Sequence, residues 1–360
     1  MRRTKPISQK FNKSGSSLRS GRKKISIGFA ALVLMGAAVS CKRTSGKAAE
    51  PEYECIAYVW QEEGKLPPAN MVTAINYLAA IPNRTHDGVQ INNIPRLQRI
   101  LNLKKENPAL KVILSMGGAG AESGWAEMTG RDSLRLAFAA DCKRIVDKYE
   151  LDGVDFDWEF PANEEEQANY IRLFSDVRNA LGRDKVVSAA AGFFGNGFDM
   201  REAMKYLDYV NLMTYDMGWQ APHHHTALRR SELAGVSTIE ESIDSFLTKG
   251  LDYKDMVLGL AFYGRGNDKD FKGWTDYRDI VNRNLAAEGM EERWDSIACV
   301  PYIVDSLGTL IVGYENPKSL KIKCDYIKEK GLRGGMYWRS ELDDDSMSLT
   351  RTVAGELLGR

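Results

Sequence analysis

The chain has 360 residues, and its 49 Lys/Arg balance its 49 Asp/Glu to a formal net charge of zero. Nine basic residues and no acidic ones lie in positions 1–40, so positions 41–360 keep 40 basic and 49 acidic residues, a net charge of −9. This negative net charge of positions 41–360 argues against a nucleic-acid-binding protein, because contacts to phosphate need clustered cations. The five cysteines are widely spaced and include no CxxC pair, which argues against a zinc site and a dense disulfide framework.

The first predicted element is an export signal. After the basic start comes an apolar run at 25–35, too short to span a bilayer comfortably, and then small residues that end at Cys41. This order resembles a bacterial lipoprotein signal, in which Cys41 would be lipidated and become the first residue. Ordinary cleavage and an uncleaved anchor are the alternatives. The predicted organisation is a signal over 1–40, a polar tether over 41–52 and a folded domain over 53–360, exported and anchored at a periplasmic or cell-surface membrane.

After the tether, short apolar segments alternate with amphipathic ones along the chain. Strands are predicted at 55–60, 72–78, 111–116, 152–160, 186–194, 207–214, 256–262 and 332–338. Helices are predicted at 94–105, 131–149, 164–181, 237–249, 317–330 and 346–358, and Ser237 is the expected N-cap of the fourth.

Eight buried strands that alternate with helices predict parallel βα units and a closed (β/α)8 TIM barrel, an α/β fold. The 65 residues between Arg265 and Gly331 exceed the length of one crossover helix. They predict a small inserted α+β subdomain near 266–313, between strands 7 and 8. A doubly wound open sheet is the alternative, but no GxGxxG follows a predicted strand.

The strand at 152–160 has an unusual distribution of side chains. Alternation places three apolar side chains on one face and three carboxylates on the other. The apolar face is Val154, Phe156 and Trp158, and the acidic face is Asp155, Asp157 and Glu159. Carboxylates crowded into a low-dielectric site cannot all ionise, so such a row indicates a group that holds a proton or a metal, unless it is a solvated strand face. In a barrel, catalytic residues lie at the carboxyl ends of strands, as Glu159 does here.

The segment Asp-Gly-x-Asp-x-Asp-Trp-Glu-x-Pro at 152–161 resembles the signature of glycoside hydrolase family 18, and the chain is similar to a chitinase of that family. The other segments that resemble the family follow its order along the chain. They are Ser-x-Gly-Gly at 115–118, Met-Thr-Tyr-Asp at 213–216 and Gly-Leu-Ala-Phe-Tyr-Gly-Arg at 259–265. The last ones are Val-Pro-Tyr at 300–302 followed by Gly-Tyr-Glu-Asn-Pro at 313–317, and Gly-Gly-Met-Tyr-Trp at 334–338. The resemblance covers about 53–340.

The resemblance implies retaining hydrolysis of β-1,4 links next to N-acetylglucosamine, with the substrate's own acetamide as nucleophile. Glu159 would be the general acid, with its pKa raised by burial and neighbouring charge. Asp157 would hold the acetamide N–H, and Asp155 would share a proton with Asp157. Tyr215 would donate its hydroxyl to the acetamide carbonyl, and Trp338 would form the floor beneath the distorted sugar. A plain core role is the alternative for Tyr215 and Trp338.

Further residues would bind sugar. The resemblance implies sugar-lining roles for Asp216, Met213, Tyr263 and Arg265, stacking on the non-reducing side for Tyr58 and Trp60, and a role on the reducing side for Trp219. Each of them has a structural role as its alternative. Ala119 replaces a Trp that often follows the Ser-x-Gly-Gly motif in the family, which puts affinity for long polymers in doubt.

No cofactor or metal is expected. The consecutive histidines at 223–225 fit no usual ligand spacing, although Asp-x-Asp-x-Glu leaves a metal-dependent barrel enzyme as a distant alternative. The expected partner is an oligo- or polysaccharide that contains N-acetylglucosamine, with membrane contact through the lipid only, no nucleic acid, and a monomeric state. The four cysteines after Cys41 are expected to be buried free thiols, with one disulfide as the alternative.

Two other functions stay open. One is an endo-β-N-acetylglucosaminidase that acts on glycoprotein or cell-wall glycans; Trp158 favours a chitinase, since those relatives more often have another residue there. The other is a sugar-binding protein that has lost catalysis, against which the intact Glu159 argues.

Overall fold

A computed structural model describes residues 52–121, 123–195 and 197–360. The predicted signal, Cys41 and nearly all of the predicted tether lie outside these residues. Within the described part of the chain, every helix is too short or too polar to cross a membrane.

Eight parallel strands form a closed barrel. They are β1 (Glu54–Trp60), β2 (Ala74–Pro82), β4 (Lys111–Gly117), β5 (Gly153–Asp157), β6 (Val186–Gly192), β7 (Tyr209–Met213), β8 (Met256–Ala261) and β14 (Gly334–Trp338). Each strand pairs with its neighbour in this order, and β1 pairs with both β2 and β14, which closes the sheet. A short strand, β3 (Val89–Ile91), adds to β2 in antiparallel register. The predicted TIM barrel is confirmed, and the open sheet is wrong.

Nine helices lie in the described part of the chain. They are α1 (Ile94–Asn102), α2 (Trp125–Thr129), α3 (Asp132–Tyr149), α4 (Glu164–Leu181), α5 (Met200–Ala203), α6 (Ile239–Thr248), α7 (Tyr277–Val281), α8 (Pro317–Lys330) and α9 (Ser348–Leu358). Side-chain caps fix several of their starts, as at Asn163 and Asn316. The predicted cap at Ser237 is wrong by one residue, because Thr238 accepts the hydrogen bond from the Glu241 N–H.

A second sheet lies between β8 and β14, where the insertion is predicted. Its antiparallel strands are β9 (Tyr263–Gly266), β10 (Thr275–Asp276), β11 (Glu291–Asp295), β12 (Val300–Val304) and β13 (Leu310–Gly313). The sheet begins at Tyr263, a single residue after β8, and therefore starts earlier than the expected 266. Because β9 follows β8 so closely, the carboxyl end of β8 leads straight into the wall of the insertion.

An aromatic cluster anchors β5 against the outer helices. The Phe156 ring packs edge-on to the rings of Trp125 and Tyr170, and Trp158 stacks on Trp125 with centroids 5.8 Å apart. Because these apolar side chains face outward, alternation turns Asp155 and Asp157 toward the barrel axis. The strand itself ends at Asp157, so Trp158 and Glu159 follow it rather than belonging to it as predicted.

The four cysteines in the described part of the chain are Cys55, Cys142, Cys299 and Cys324, and all are free and buried. Burial raises the pKa of the Cys324 thiol to about 12. Burial also raises the pKa of the Cys55 and Cys142 thiols, so these two and Cys324 stay protonated and pack as small apolar groups.

Candidate active site

A cavity of about 1060 Å³ opens at the carboxyl ends of the barrel strands. Of the predicted site residues, those that line it are Trp60, Asp157, Glu159, Met213, Tyr215, Asp216, Trp219, Tyr263, Arg265 and Trp338. Ala119 also lines it and is exposed, so the position where the family often has a Trp offers no stacking surface.

Glycines at the end of β4 let β5 approach closely. The Gly118 N–H donates to the Asp157 carbonyl at 2.7 Å. A Cβ at Gly117 would lie 2.2 Å from the same carbonyl oxygen, and its φ of +116° is one that L side chains rarely adopt. The Ser-x-Gly-Gly motif therefore positions the backbone of Asp157 at the cavity floor.

Asp155 lies inside the barrel, below the cavity. Its Oδ2 accepts hydrogen bonds from the Tyr58 hydroxyl at 2.8 Å and the Ser115 hydroxyl at 2.6 Å. Its Oδ1 accepts from the Ser188 hydroxyl at 2.6 Å and the Asn211 amide at 3.0 Å. Burial raises the pKa of Asp155 in spite of these four donors. Both oxygens are thus occupied by neutral donors, and its proton exchange with Asp157 stays a prediction.

The prediction that Tyr58 stacks a sugar is wrong. Its side chain is 2% exposed, and its hydroxyl is held by Asp155. Its ring packs on Trp338 from the barrel interior, with centroids 5.9 Å apart. Tyr58 therefore supports the floor from below, since it lies two residues deeper along β1 than Trp60.

Asp157 and Glu159 face the cavity together. Asp157 is 4% exposed, and its Oδ1 has no hydrogen-bond partner among the described residues. Burial raises the pKa of Asp157 well above its usual range, and the charges of Glu159 and then Asp155 raise it further. Glu159 is half-buried. The pair is therefore a site where a carboxyl group retains a proton that it would lose in water.

Tyr215 extends from the end of β7. The Thr214 hydroxyl donates to the Gly259 carbonyl at 2.8 Å and accepts from the Gly259 N–H at 3.0 Å, which pins β7 to β8. Burial raises the pKa of the Tyr215 hydroxyl well above its usual range, and the charges of Asp157 and Glu159 add to the effect. The hydroxyl thus remains a hydrogen-bond donor beside the two carboxyl groups.

Asp216 organises the wall next to the insertion. It accepts from Arg265 Nε at 2.7 Å and Nη2 at 2.5 Å, and from the Tyr263 hydroxyl at 2.7 Å. Burial by itself would raise the pKa of Asp216, but His225 and Arg265 outweigh it and hold this pKa well below its usual range. Asp216 is therefore an ionised anchor for Arg265.

Tyr263 belongs to the same wall of the cavity as Asp216. It is 1% exposed, and its ring stacks on Trp274 with centroids 3.6 Å apart and an interplanar angle of 10°. Tyr263 lines the cavity, and its predicted sugar contact stays a prediction. Trp274 also lines the cavity, and sequence reasoning missed it.

The open sides of the cavity are aromatic. Trp60 and Trp338 meet edge-on at 5.8 Å, and Trp219 is 69% exposed with the Arg265 guanidinium 4.7 Å from its ring. Two exposed rim residues, Phe160 and Phe194, were also missed. Their signal in the sequence was an aromatic residue two or three positions after the end of a strand, β5 for Phe160 and β6 for Phe194.

The three consecutive histidines lie in three different surroundings. His224 Nε2 lies 3.2 Å from Asp295 Oδ2, His225 Nδ1 lies 3.5 Å from Asp216 Oδ1, and His223 is exposed. In the part of the chain that the structure describes, no three or more His, Cys, Asp or Glu side chains are arranged to hold a metal ion.

The chain is similar to known proteins over this whole region. Residues 54–343 match the family model described as Glycosyl hydrolases family 18. Chitinase A1 of Niallia circulans is 28% identical over 311 residues, which cover 72% of this chain and 44% of that protein. Endochitinase 1 of Metarhizium robertsii is 27% identical over 307 residues, which cover 77% of this chain and 72% of that protein.

The fold has solved counterparts. A glycoside hydrolase family 18 N-acetylglucosaminidase from Paenibacillus barengoltzii superposes with a TM-score of 0.73 at 29% identity, covering 85% of this chain and 100% of that one. Chitinase ChiW from Paenibacillus sp. str. FPU-7 superposes with a TM-score of 0.75 at 26% identity, covering 85% of this chain and 43% of that one.

Proposed function

The chain belongs to glycoside hydrolase family 18, and from that premise we propose that it hydrolyses β-1,4 N-acetylglucosaminide links in chitin or chito-oligosaccharides with retention. The observation that carries the proposal is the placement of Asp157, Glu159 and Tyr215 on one cavity beside Trp338. Chitinases among the similar proteins support the choice of substrate.

The proposed reaction is assisted by the substrate. Glu159 donates its proton to the leaving glycosidic oxygen while the acetamide oxygen of the same sugar bonds to the anomeric carbon and the glycosidic C–O bond breaks. Asp157 accepts the acetamide N–H and stabilises the cyclic cation. The protonated Tyr215 hydroxyl donates to the acetamide oxygen and aims it at the anomeric carbon. Water then attacks the anomeric carbon as the bond between that carbon and the acetamide oxygen breaks, which restores the acetamide, and Glu159 takes the proton from that water.

A substrate comparison tests this proposal. Purified protein is incubated with an N-acetylglucosamine hexamer, an N-glycoprotein and a cell-wall glycan, and the products are identified by mass spectrometry. The hexamer should be cleaved fastest, and Glu159→Gln should slow its cleavage at least about 100-fold while leaving the fold intact. A hexamer left uncut by the wild type, or a Glu159→Gln rate equal to that of the wild type, would contradict the proposal.

The second candidate is an endo-β-N-acetylglucosaminidase that acts on glycoprotein or cell-wall glycans. The exposed Ala119 favours it, because the cavity has no aromatic surface at this position for a long chitin chain. Faster cleavage of the glycoprotein or the cell-wall glycan in the same comparison would establish it.

The same proposal includes export, lipid attachment at Cys41 and a monomeric state. The support for export and lipid attachment is the basic start, the apolar run at 25–35 and the small residues before Cys41. Such a protein would degrade its substrate at a membrane surface.

A further inference from the structure

A buried ion pair lies behind one wall of the cavity. Arg96, in α1, and Glu341, just after β14, are 1% and 5% exposed, and Arg96 Nη2 lies 2.5 Å from Glu341 Oε1. Burying two charges costs desolvation, so a buried pair contributes little net stability compared with well-packed apolar residues. Its geometry indicates what else the pair does.

The pair holds the backbone of Trp60 from both sides. The Trp60 N–H donates to Glu341 Oε1 at 3.0 Å, and Arg96 Nε donates to the Trp60 carbonyl at 2.8 Å. Arg96 Nη1 also donates to the Gly64 carbonyl at 3.2 Å. Only a planar guanidinium, with its donors in a fixed fork, reaches these three acceptors at once.

The loop after Trp60 is fitted closely onto the pair. A Cβ at Gly64 would lie 2.5 Å from Glu341 Cγ and 3.0 Å from Glu341 Cβ. The loop therefore rests directly on the Glu341 side chain, and it carries Glu62 to the cavity.

The ring of Trp60 transmits this positioning to the cavity. It packs edge-on against Trp338 with an interplanar angle of 78°, and the Arg339 guanidinium lies 5.7 Å from its centroid. All three side chains line the cavity. A shift of the Trp60 backbone would thus change the wall that Trp60, Trp338 and Arg339 form together.

We propose that Arg96 and Glu341 are positioning residues that set the affinity of the Trp60 side of the cavity for the substrate, an inference that rests on the proposed function. Neither residue lines the cavity, so both act through Trp60. The consequence is specific: a loss of the pair weakens binding of substrates that extend along this wall more than it slows the bond cleavage.

Arg178 offers a matched control. It is 3% exposed, and it donates to Asp208 Oδ2 at 2.6 Å and to the carbonyls of Tyr206 and Lys185 at 2.7 Å. Lys185 and Asp208 precede β6 and β7, so this arginine lies at the opposite end of the barrel from the cavity. It has the same chemistry without the connection to Trp60.

The test compares Arg96→Met with Arg178→Met on the hexamer and on an aryl glycoside that carries one N-acetylglucosamine. Both variants should unfold at lower temperature than the wild type. Arg96→Met should raise KM for the hexamer by about 10-fold or more, with less than about 3-fold change in kcat and in KM for the short substrate. Arg178→Met should leave both KM values unchanged.

Arg96→Lys covers the case in which Arg96→Met does not fold. It keeps the charge, but a single ammonium cannot reach all three acceptors, so the KM for the hexamer should still rise. A wild-type KM in a folded Arg96→Lys, or equal KM changes for both substrates, would overturn the inference. Failure of the wild type to cleave the hexamer would instead overturn the proposed function.

Discussion

Asp157 is the residue where stability and proposed chemistry oppose each other. Its carboxyl group is buried beside two other acids, and its Oδ1 lacks a hydrogen-bond partner among the described residues. A folded-state pKa raised by burial means that ionisation destabilises the fold. A buried carboxyl group with a raised pKa in a cavity is typical of a residue that acts on a ligand.

Asp157→Asn should separate the two effects. Since the folded-state pKa of Asp157 is raised, its contribution to stability is fully present below its unfolded-state pKa and is lost as pH rises through the folded-state pKa. Asn cannot ionise, so it avoids this loss of stability. The Tm of the variant minus the Tm of the wild type should therefore be at least about 2 °C higher at neutral pH than at pH 3. Thermal scans across pH measure this, and a pH-independent difference would contradict it.

The same variant should be a poorer enzyme. Turnover should fall at least about 10-fold, because Asn cannot supply a negative charge to the cyclic cation. Above the pKa of Asp157, its charge favours the protonated form of Glu159; without that charge, the alkaline limb of the kcat/KM profile should move to lower pH. Unchanged pH limbs would show that Asp157 is not coupled to Glu159.

Residue types close together in the sequence were the predictable part of the site. Asp155, Asp157 and Glu159 alternate along one segment, so their common face follows from strand geometry. Strand geometry does not tell which position along a strand reaches the cavity. Tyr58 and Trp60 share a face of β1, yet only Trp60 reaches the cavity. That difference depends on the position of the cavity floor along the barrel axis, which is set by side chains from the other strands.

At the scale of elements, the contact between β4 and β5 depends on a glycine. Gly117→Ala places a methyl group against the Asp157 carbonyl and should cost about 1–3 kcal/mol of stability, with reduced turnover because Asp157 is displaced. Gly182→Ala is the control: it has a similar positive φ of +78°, with nothing within 4 Å of the added methyl. It should lose stability but keep full turnover per folded molecule.

Chemical denaturation and steady-state rates on the hexamer measure both variants. If Gly182→Ala and Gly117→Ala lose the same fraction of turnover, the close approach of β4 to β5 does not position Asp157.

The order and type of the barrel strands followed from their apolar composition, but their ends did not. The predicted strand at 186–194 includes Phe193, whereas β6 ends at Gly192, because apolar character continues into the cavity rim after the last ladder pair. At the insertion, Tyr263 already belongs to the second sheet. Pairing partners from distant segments decide such boundaries.

At the scale of the molecule, the cavity walls join segments far apart in the chain. Arg96 and Glu341 are separated by 245 positions, and Gln220 reaches Asp268 in the insertion at 2.8 Å. A single sequence contains no information on which distant segments pair, so it cannot reveal such contacts. The place of Trp274 in the cavity wall was missed for the same reason.

The proposed location also belongs to this scale. The wild-type protein should fractionate with membranes, since the proposed lipid on Cys41 anchors it there. Cys41→Ala, with signal cleavage retained, should release it into the soluble fraction. A mature wild-type protein that is soluble and begins at another residue would contradict lipid attachment.

The central claim is that the substrate's acetamide, and no second carboxylate, attacks the anomeric carbon. NMR of the first products from an N-acetylglucosamine oligomer, run beside the same oligomer deacetylated at the cleavage site, tests this most directly. The account predicts that the β-anomer forms first and that the deacetylated chain is almost inert, because Asp157 and Tyr215 then have no acetamide to orient. The α-anomer as first product, or brisk cleavage of the deacetylated chain, would contradict it.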